Sequence, residues 1–191
     1  MSKQSLEVLF ESRTRLKILK FLFRNFPKSY SSREIVAHTQ EDTSAVRKEL
    51  KRLMEIGLIE NKKTVYGISP EFEYFTELRD LIIKSSPSEK RDLIERIHKL
   101  GKIRVAIISG IFLDKELNDP LAVDLFLVHD YLDKRKLTLF LKAIESEIGT
   151  EVRFAAMDKE EFKYRLAMFD RFVRVLLEGP HEKLINKLGI E

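Results

Sequence analysis

A single aspartate lies inside an otherwise apolar run in the second half of the chain. The segment NDPLAVDLFLV, residues 118–128, passes from a polar turn with a proline into a strand-like stretch that contains Asp124. A carboxylate in such a place is either a structural group with satisfied hydrogen bonds or the remnant of a site. Further acidic residues are close by, namely Asp114, Glu116 and Asp119 in the turn and Glu151 beside a later strand. Because carboxylates bind divalent metal ions, a rearranged one-metal site is one interpretation, and a solvated loop is the favoured one.

Other residue types give no sign of a catalytic or metal site. The chain has no cysteine, which excludes disulfides and thiolate metal sites. The sequence contains four histidines, His38, His98, His129 and His181. They show neither metal-ligand spacing nor a serine close enough to pair with. Each is interpreted as a surface or half-buried residue.

A second chemical feature is a set of cations in the stretch TSAVRKELKRLMEIG, residues 43–57. At about 100° per residue, Val46, Leu50 and Leu53 fall on one side of a helix and are expected to pack inward. The opposite side carries one hydroxyl and four cations: Ser44, Arg47, Lys48, Lys51 and Arg52. Arginine makes two hydrogen bonds to guanine, whereas lysine mostly supplies charge. This side of the helix is suited to duplex DNA, and a solvated helix face is the alternative.

The distribution of charge agrees with a nucleic-acid-binding first half. Residues 1–63 hold 14 Lys and Arg against 8 Asp and Glu, a net charge of +6. Residues 87–191 hold 19 of each and are neutral. The basic excess is therefore N-terminal, an asymmetry typical of a DNA-binding half.

The elements of the first half follow the order helix, helix, turn, helix, hairpin. The first helix is predicted from apolar residues at i, i+3, i+7 and i+10, namely Leu16, Leu19, Phe23 and Phe26. Pro27 is expected to end it. Ser31 and Glu34 have the spacing of a capping box that starts the second helix. The third helix begins after a cap at Asp42 or Thr43 and ends at a glycine, and the strands LIE and TVYGIS follow, joined through NKK. This order predicts a winged helix-turn-helix.

About residues 10–70 resemble ArsR/MarR-type winged-helix transcriptional regulators in four successive stretches: SRTRLKILKFLF, YSSREIVAHT, SAVRKELKRLMEIGLIE and KKTVYGIS. The resemblance implies that Ser44 and Arg47 lie nearest the base edges of the major groove and that Lys48, Lys51 and Arg52 meet phosphates. Lys62 and Lys63, at the tip of the wing, would contact the neighbouring backbone or minor groove. The stretch EFEYFTELRDLII resembles the extra helix that such domains use for dimerisation. Winged helices that serve only protein contacts are the alternative.

The second half alternates helices and strands. A helix in SEKRDLIERIHKLGK is expected to end at Gly101, and the strands IRVAIISG, AVDLFLV and TEVRFAAM are separated by turn or helical stretches. One or two further helices are predicted in DKEEFKYRLAMFDRFVRVLLEG, before HEKLINKL. This alternation predicts a small mixed sheet covered by helices.

About residues 88–180 resemble the minimal nucleotidyltransferase domain of the DNA polymerase beta superfamily, most strongly in element order and in DKEEFKYRLAMFDRFVRVLLEGP. In that family a Gly-Ser turn holds a phosphate, and an Asp-x-Asp pair with a third acidic residue binds two metal ions. Here the turn falls on Gly110 and Ile111, the Asp-x-Asp pair on Ala122 and Asp124, and the third acidic position on Arg153. One carboxylate of three survives. We therefore expect an inactive domain in which Arg153 holds Asp124 as a buried ion pair.

Together these features predict an α+β protein: a winged helix-turn-helix at 1–86 and a nucleotidyltransferase-like domain with a mixed sheet at 87–191. The expected function is a DNA-binding transcriptional regulator, a homodimer on double-stranded DNA, without a cofactor or resident metal. Its second domain would sense a nucleotide-like ligand or bind a protein partner. An active nucleotidyltransferase and the partner protein of a toxin–antitoxin pair are the alternatives. The first twenty residues lack a long uncharged core, which argues against a signal peptide or membrane span and for a cytoplasmic location.

Overall fold

The computed structural model describes residues 3–84, 90–113, 115, 117 and 119–190. The chain divides into two compact units. The first is Met1–Ser88 together with Lys142–Glu151, and the second is Glu89–Leu141 together with Val152–Glu191. The domain bounds 1–86 and 87–191 stay a prediction, and the linker residues 85–89 lie outside the described residues.

The first unit has the element order of a winged helix-turn-helix. Its helices are α1 (Lys3–Phe10), α2 (Arg13–Arg24), α3 (Ser32–Thr39), α4 (Thr43–Glu55) and α5 (Phe75–Lys84). Its strands are β1 (Tyr30–Ser31), β2 (Ile59–Lys62) and β3 (Val65–Ile68). Strand β3 lies between β1 and β2 and is antiparallel to both. The predicted order is confirmed, and α1 is an element that the periodicity does not indicate.

Helix α2 lies in the core of this unit and ends earlier than predicted. It stops at Arg24, where the Asn25 side chain donates a hydrogen bond of 2.7 Å to the carbonyl oxygen of Phe21. Phe26, predicted to share the apolar face of the helix, lies beyond it and is exposed. That prediction is wrong because the helix is closed by Asn25 before Pro27 can act, and a residue before proline also disfavours helical dihedrals.

The capping box at the start of α3 is confirmed. The Ser31 side chain accepts a hydrogen bond from the Glu34 amide, and the Glu34 carboxylate accepts one of 2.7 Å from the Ser31 amide. Helix α4 begins after Asp42 and ends before Gly57, whose φ of +75° is the left-handed conformation that favours glycine at a helix end. Local sequence signals therefore fix both helices of the helix-turn-helix.

The second unit is a four-stranded sheet with helices. Its elements are α6 (Lys90–His98), β4 (Gly101–Ser109), β5 (Leu125–Leu132), α7 (Lys134–Ile148), β6 (Phe154–Asp158), α8 (Lys159–Ala167), α9 (Arg171–Glu178) and β7 (His181–Asn186). Only the first part of α7, up to Leu141, belongs to this unit. The strand order is β6-β5-β4-β7, with β5 and β6 parallel and the other pairs antiparallel. The sheet is mixed, as predicted.

The core of the second unit follows from the strand register. Val105 lies opposite Val128 and Ile107 opposite Phe126, and these four residues share a buried cluster with residues of α8 and α9. The predicted end of α6 at Gly101 is wrong, because Gly101 is the first residue of β4. A Cβ there would lie 2.2 Å from a backbone carbonyl oxygen on β5, so the strands approach too closely for any other residue. Among the described residues, no helix is long and apolar enough to cross a membrane.

The segment Lys142–Glu151 is built into the first unit. A Cβ on Gly149, whose φ is +93°, would lie 2.5 Å from the carbonyl carbon of Lys20 on α2. The Asn25 side chain donates a hydrogen bond of 2.8 Å to the Gly149 carbonyl oxygen, and Gln40 donates one of 2.6 Å to that of Lys142. The segment therefore touches both α2 and the end of α3.

We expect Gly149→Ala to destabilise the first unit. The substitution adds a clash with the backbone of α2, typically about 1–3 kcal/mol, to a left-handed strain of about 1 kcal/mol. The free energy of unfolding, measured by urea denaturation, should fall by about 2–4 kcal/mol.

Gly57→Ala is the matched control. Gly57 has a similar positive φ, but nothing lies within 4 Å of its Cβ position. This variant should lose only about 1 kcal/mol. Equal losses in the two variants would contradict the close approach of Gly149 to α2.

Candidate nucleic-acid interface

Helix α4 buries one side and exposes the other, as the sequence predicts. Val46, Leu50 and Leu53 lie in the core of the first unit. The residues assigned to DNA contacts are all exposed: Ser44, Arg47, Lys48, Lys51 and Arg52. The Ser44 hydroxyl donates a hydrogen bond of 3.2 Å to the Asp42 carboxylate. The helix thus presents a polar, cationic side at the surface of the unit.

The cations on the exposed side of α4 differ in whether a nearby carboxylate pairs with them. Within the described residues, Arg47 and Lys48 form no ion pair, so their charges are uncompensated by a neighbouring carboxylate. Lys51 lies 4.0 Å from the Glu55 carboxylate, a weak exposed pair. Arg52 donates a hydrogen bond of 3.1 Å to Glu49, one turn earlier on α4. Arg47 and Lys48 are therefore the cations most available to an anionic partner.

The wing ends in a turn of two residues. Lys62 on β2 pairs with Val65 on β3, and Lys63 and Thr64 between them have φ values of 52° and 81°. The strands are thus joined through Lys63 and Thr64, and the predicted link through Asn61 and Lys62 is wrong because both residues belong to β2. Positive φ at both turn positions matches the twist of the flanking strands.

The two wing lysines are not equivalent. The Lys62 ammonium lies 2.8 Å from the Glu60 carboxylate on the same strand. Hydrogen bonding to Glu60, and then the charge of Glu60, raise the pKa of Lys62. Hydrogen bonds from Lys62 and Ser69, and then the charge of Lys62, lower the pKa of Glu60. Lys63 is exposed and, within the described part of the chain, forms no ion pair. Part of the electrostatic field of Lys62 is therefore offset by Glu60.

Side chains of α2 hold the helix-turn-helix in place. The Lys17 ammonium donates a hydrogen bond of 2.9 Å to the Thr39 carbonyl oxygen at the end of α3. It also lies 2.6 Å from the Glu41 carboxylate in the following turn. The Arg15 guanidinium lies 2.7 Å from the Glu49 carboxylate on α4. Sequence reasoning missed these contacts. Helix α2 carries five cations, and their spacing does not single out the two that make these contacts.

Helix α5 packs within its own unit. Ile82 is fully buried, and Phe75, Leu78 and Leu81 pack against the same core. The Phe75 ring lies 5.7 Å from that of Phe23 on α2. The apolar residues that suggest a dimerisation helix are therefore at least partly used inside the unit, and dimerisation through α5 stays a prediction.

In the second unit, Asp124 is fully enclosed and fully bonded. It lies one residue before β5 rather than inside that strand, which corrects the predicted strand. Its side chain is 1% exposed. One carboxylate oxygen accepts the Ile111 amide at 3.1 Å, and the other accepts the Arg153 amide at 3.0 Å and the Arg153 Nε at 3.1 Å. The predicted ion pair between Asp124 and Arg153 is confirmed, but only its carboxylate is buried, since the Arg153 side chain is 48% exposed.

Two neighbouring positions of the resemblance, Gly110 and Ala122, have different structural roles. Gly110 has φ +50°, and a Cβ there would lie 2.1 Å from the Asp124 carboxylate, so only glycine fits. Ala122 lies in the loop before Asp124, where its amide donates to the carbonyl oxygen of Asp119. Asp119 itself caps this turn through the amide of the residue after Pro120.

No metal site is assembled from the described residues. Within them, no group of three or more His, Asp or Glu side chains is arranged to hold a metal ion. Asp114 and Glu116, which the one-metal interpretation uses, lie outside the described residues. The donor set around Asp124 is one carboxylate with a guanidinium, which does not suit a divalent cation.

The family model of the bacterial regulatory protein, arsR family, matches residues 12–73. This part of the chain is therefore similar to ArsR-family helix-turn-helix domains. The match spans α2, α3, α4 and the wing, and it supports a DNA-binding transcriptional regulator. No curated protein and no solved structure matches the chain.

We expect Arg153→Met to destabilise the second unit. The methionine keeps most of the side-chain stem but leaves the buried Asp124 carboxylate with only its two amide donors. Removing the cation from a buried carboxylate should lower the free energy of unfolding by about 2–3 kcal/mol, measured by urea denaturation.

The control for that variant is Arg171→Met. The Arg171 guanidinium pairs with Asp119 at 3.5 Å, and its side chain is 76% exposed. An exposed pair of this kind contributes about 0–1 kcal/mol. If the Arg153 variant were no less stable than this control, Asp124 would not depend on the cation.

Proposed function

We propose that the protein is a transcriptional regulator that reads duplex DNA with α4 and the wing of its ArsR-family domain. The observation that supports this most is the pair of exposed cations, Arg47 and Lys48, on a helix that α2 holds through Arg15 and Glu49. Uncompensated cations on a fixed helix gain free energy by displacing counterions from phosphates. A merely solvated helix face has no need of so rigid a support.

We infer different roles for the exposed residues of α4. Ser44 and Arg47, near the amino end of the helix, are placed for base edges, and the Arg47 guanidinium has the donor pattern that guanine accepts. Lys48, Lys51 and Arg52 are assigned to phosphates. Lys62 and Lys63 would contact the backbone or minor groove beside the site. The protein would act as a homodimer on paired half-sites.

In this proposal the second domain is nucleotidyltransferase-like, has lost catalysis and serves sensing or interaction. The support is the bonding of Asp124, whose two carboxylate oxygens accept three N–H groups within 3.1 Å. A carboxylate committed in this way has little capacity left for metal ligation. The residues that stand at the other motif positions, Ala122 and Arg153, supply no further oxygen ligand.

Selection of bound duplexes from a random DNA pool tests the proposal directly. A regulator of this kind should enrich one sequence arranged as two related half-sites. Their spacing gives the separation of the two recognition helices, and size-exclusion chromatography of the complex gives the number of chains. If the intact protein bound no duplex DNA even at low salt, the proposed function would fail.

Removing the wing charges should weaken binding to every sequence equally. We expect the double variant Lys62→Ala, Lys63→Ala to bind selected and random duplexes more weakly. It should also flatten the dependence of log K on log salt concentration by about 1 per lost phosphate contact. Fluorescence anisotropy between low and moderate salt measures both quantities.

The control removes two exposed cations elsewhere. Lys134→Ala, Arg135→Ala changes the net charge equally, at the start of α7. This variant should keep the wild-type salt dependence. Similar losses in both double variants would mean that overall charge, and not the wing, sets the affinity.

Calorimetry with magnesium and ATP separates this proposal from an active nucleotidyltransferase. Metal-dependent nucleotide binding that disappears in Asp124→Ala would favour the enzyme. Nucleotide binding without metal, or unchanged in that variant, would favour a sensing domain. A gene neighbour that encodes a toxin would instead point to a toxin–antitoxin partner.

A further inference from the structure

Glu49 is an acidic residue on a helix otherwise suited to an anionic partner. It lies in the middle of α4 and is only 6% exposed, whereas its neighbours Arg47 and Lys48 are at the surface. A carboxylate near bound DNA repels phosphates, so a buried one on this helix calls for a physical reason. Its contacts supply that reason.

The Glu49 carboxylate bridges two guanidinium groups. One oxygen lies 2.7 Å from Nε of Arg15, and the other accepts a hydrogen bond of 3.1 Å from Arg52. Arg15 also donates a hydrogen bond of 3.0 Å to the carbonyl oxygen of Phe10 at the end of α1. The carboxylate thus fixes α4 against α2 and, through Arg15, against the end of α1.

The surroundings of this bridge strengthen it. Arg15 and Arg52 line an apolar cavity of about 340 Å³ together with Leu19, Leu53 and Phe72. Charged hydrogen bonds are stronger beside apolar surface than in water, and an unpaired charge there is correspondingly costly. The contacts of Glu49 with the two arginines are therefore favoured over an unpaired carboxylate.

We propose that Glu49 is a positioning residue for DNA binding, which holds the Arg52 guanidinium in the orientation that meets a phosphate. Arg52 uses one of its five N–H donors on Glu49. Its side chain is 49% exposed, so the group remains accessible while its stem is restrained. A phosphate then meets a guanidinium that has already lost its rotational freedom. The inference rests on the proposed function.

The direction of the change in DNA affinity caused by Glu49→Gln distinguishes positioning of Arg52 from a simple effect of charge. If only charge mattered, removing a carboxylate from α4 would raise the affinity for DNA. If Glu49 positions Arg52, the affinity falls by about three- to tenfold, the cost of ordering one flexible side chain on binding. The salt dependence should stay that of the wild type, because no cation is lost.

Glu55→Gln is the matched control. Glu55 is on the same helix, its side chain is 61% exposed, and it lies 4.0 Å from Lys51. Its replacement should leave the affinity unchanged or raise it. A Glu49→Gln variant that also bound DNA as tightly as the wild type, or more tightly, would overturn the proposal.

A double-mutant cycle identifies the residue through which Glu49 acts. In an Arg52→Ala background, Glu49→Gln should lower the affinity less than it does in the wild type, because only the contact with Arg15 remains to be lost. An equal loss in both backgrounds would overturn the assignment to Arg52. Far-ultraviolet circular dichroism of each variant shows that the helices are retained.

A measurement without DNA tests the anchoring of Arg52 independently of the proposed DNA-binding function. Nitrogen-15 relaxation of the Arg52 Nε–Hε group should report restricted motion in the wild type and fast motion in Glu49→Gln. Equal mobility in both would overturn the anchoring of Arg52. Restricted motion in a wild-type protein that bound no duplex would uphold the anchoring and remove the proposed function alone.

Discussion

Ion pairs between α2 and the helix-turn-helix are the interactions on which the first unit depends. Lys17 fixes the end of α3 and the turn after it through Thr39 and Glu41, and Arg15 fixes α4 through Glu49. Apolar packing alone is non-directional and allows a helix to rotate or slide at modest cost. A buried charge without its partner is far more costly. The pairs therefore select one orientation of α4, and with it the direction of the cations on its outer side.

The same physics explains why Asp124 serves structure in the second unit. A carboxylate enclosed by protein needs donors for both oxygens, and here the Ile111 and Arg153 amides supply them together with the Arg153 guanidinium. The group ties the turn after β4 to the residue before β6, and Gly110 leaves the space that it occupies. The positive charge beside this carboxylate is supplied by Arg153.

Local signals in the sequence predict much of the first unit and less of the second. The periodicity of α4, the capping box at Ser31 and the glycine after α4 each depend on residues within a few positions, and all three are confirmed. The Arg15–Glu49 pair joins residues 34 positions apart, and no local spacing reveals such a partner. The strand after Asp124 is predicted to begin at Ala122, three residues before its observed start at Leu125, because an apolar run does not mark where pairing begins. The sequence likewise does not show whether HEKLINKL, which contains β7, forms a helix or a strand.

Gly149 shows that a structural unit need not be one stretch of chain. The signals that define a winged helix-turn-helix all fall within residues 12–73, yet the unit around that domain also includes Lys142–Glu151. The inclusion depends on backbone contact, since Gly149 lies against the backbone of Lys20 and offers its carbonyl oxygen to Asn25. Apart from the glycine itself, a contact between backbone atoms produces no pattern of side chains that the sequence would show. Because α2 carries Arg15 and Lys17, the segment that rests on α2 also supports the helix that orients α4.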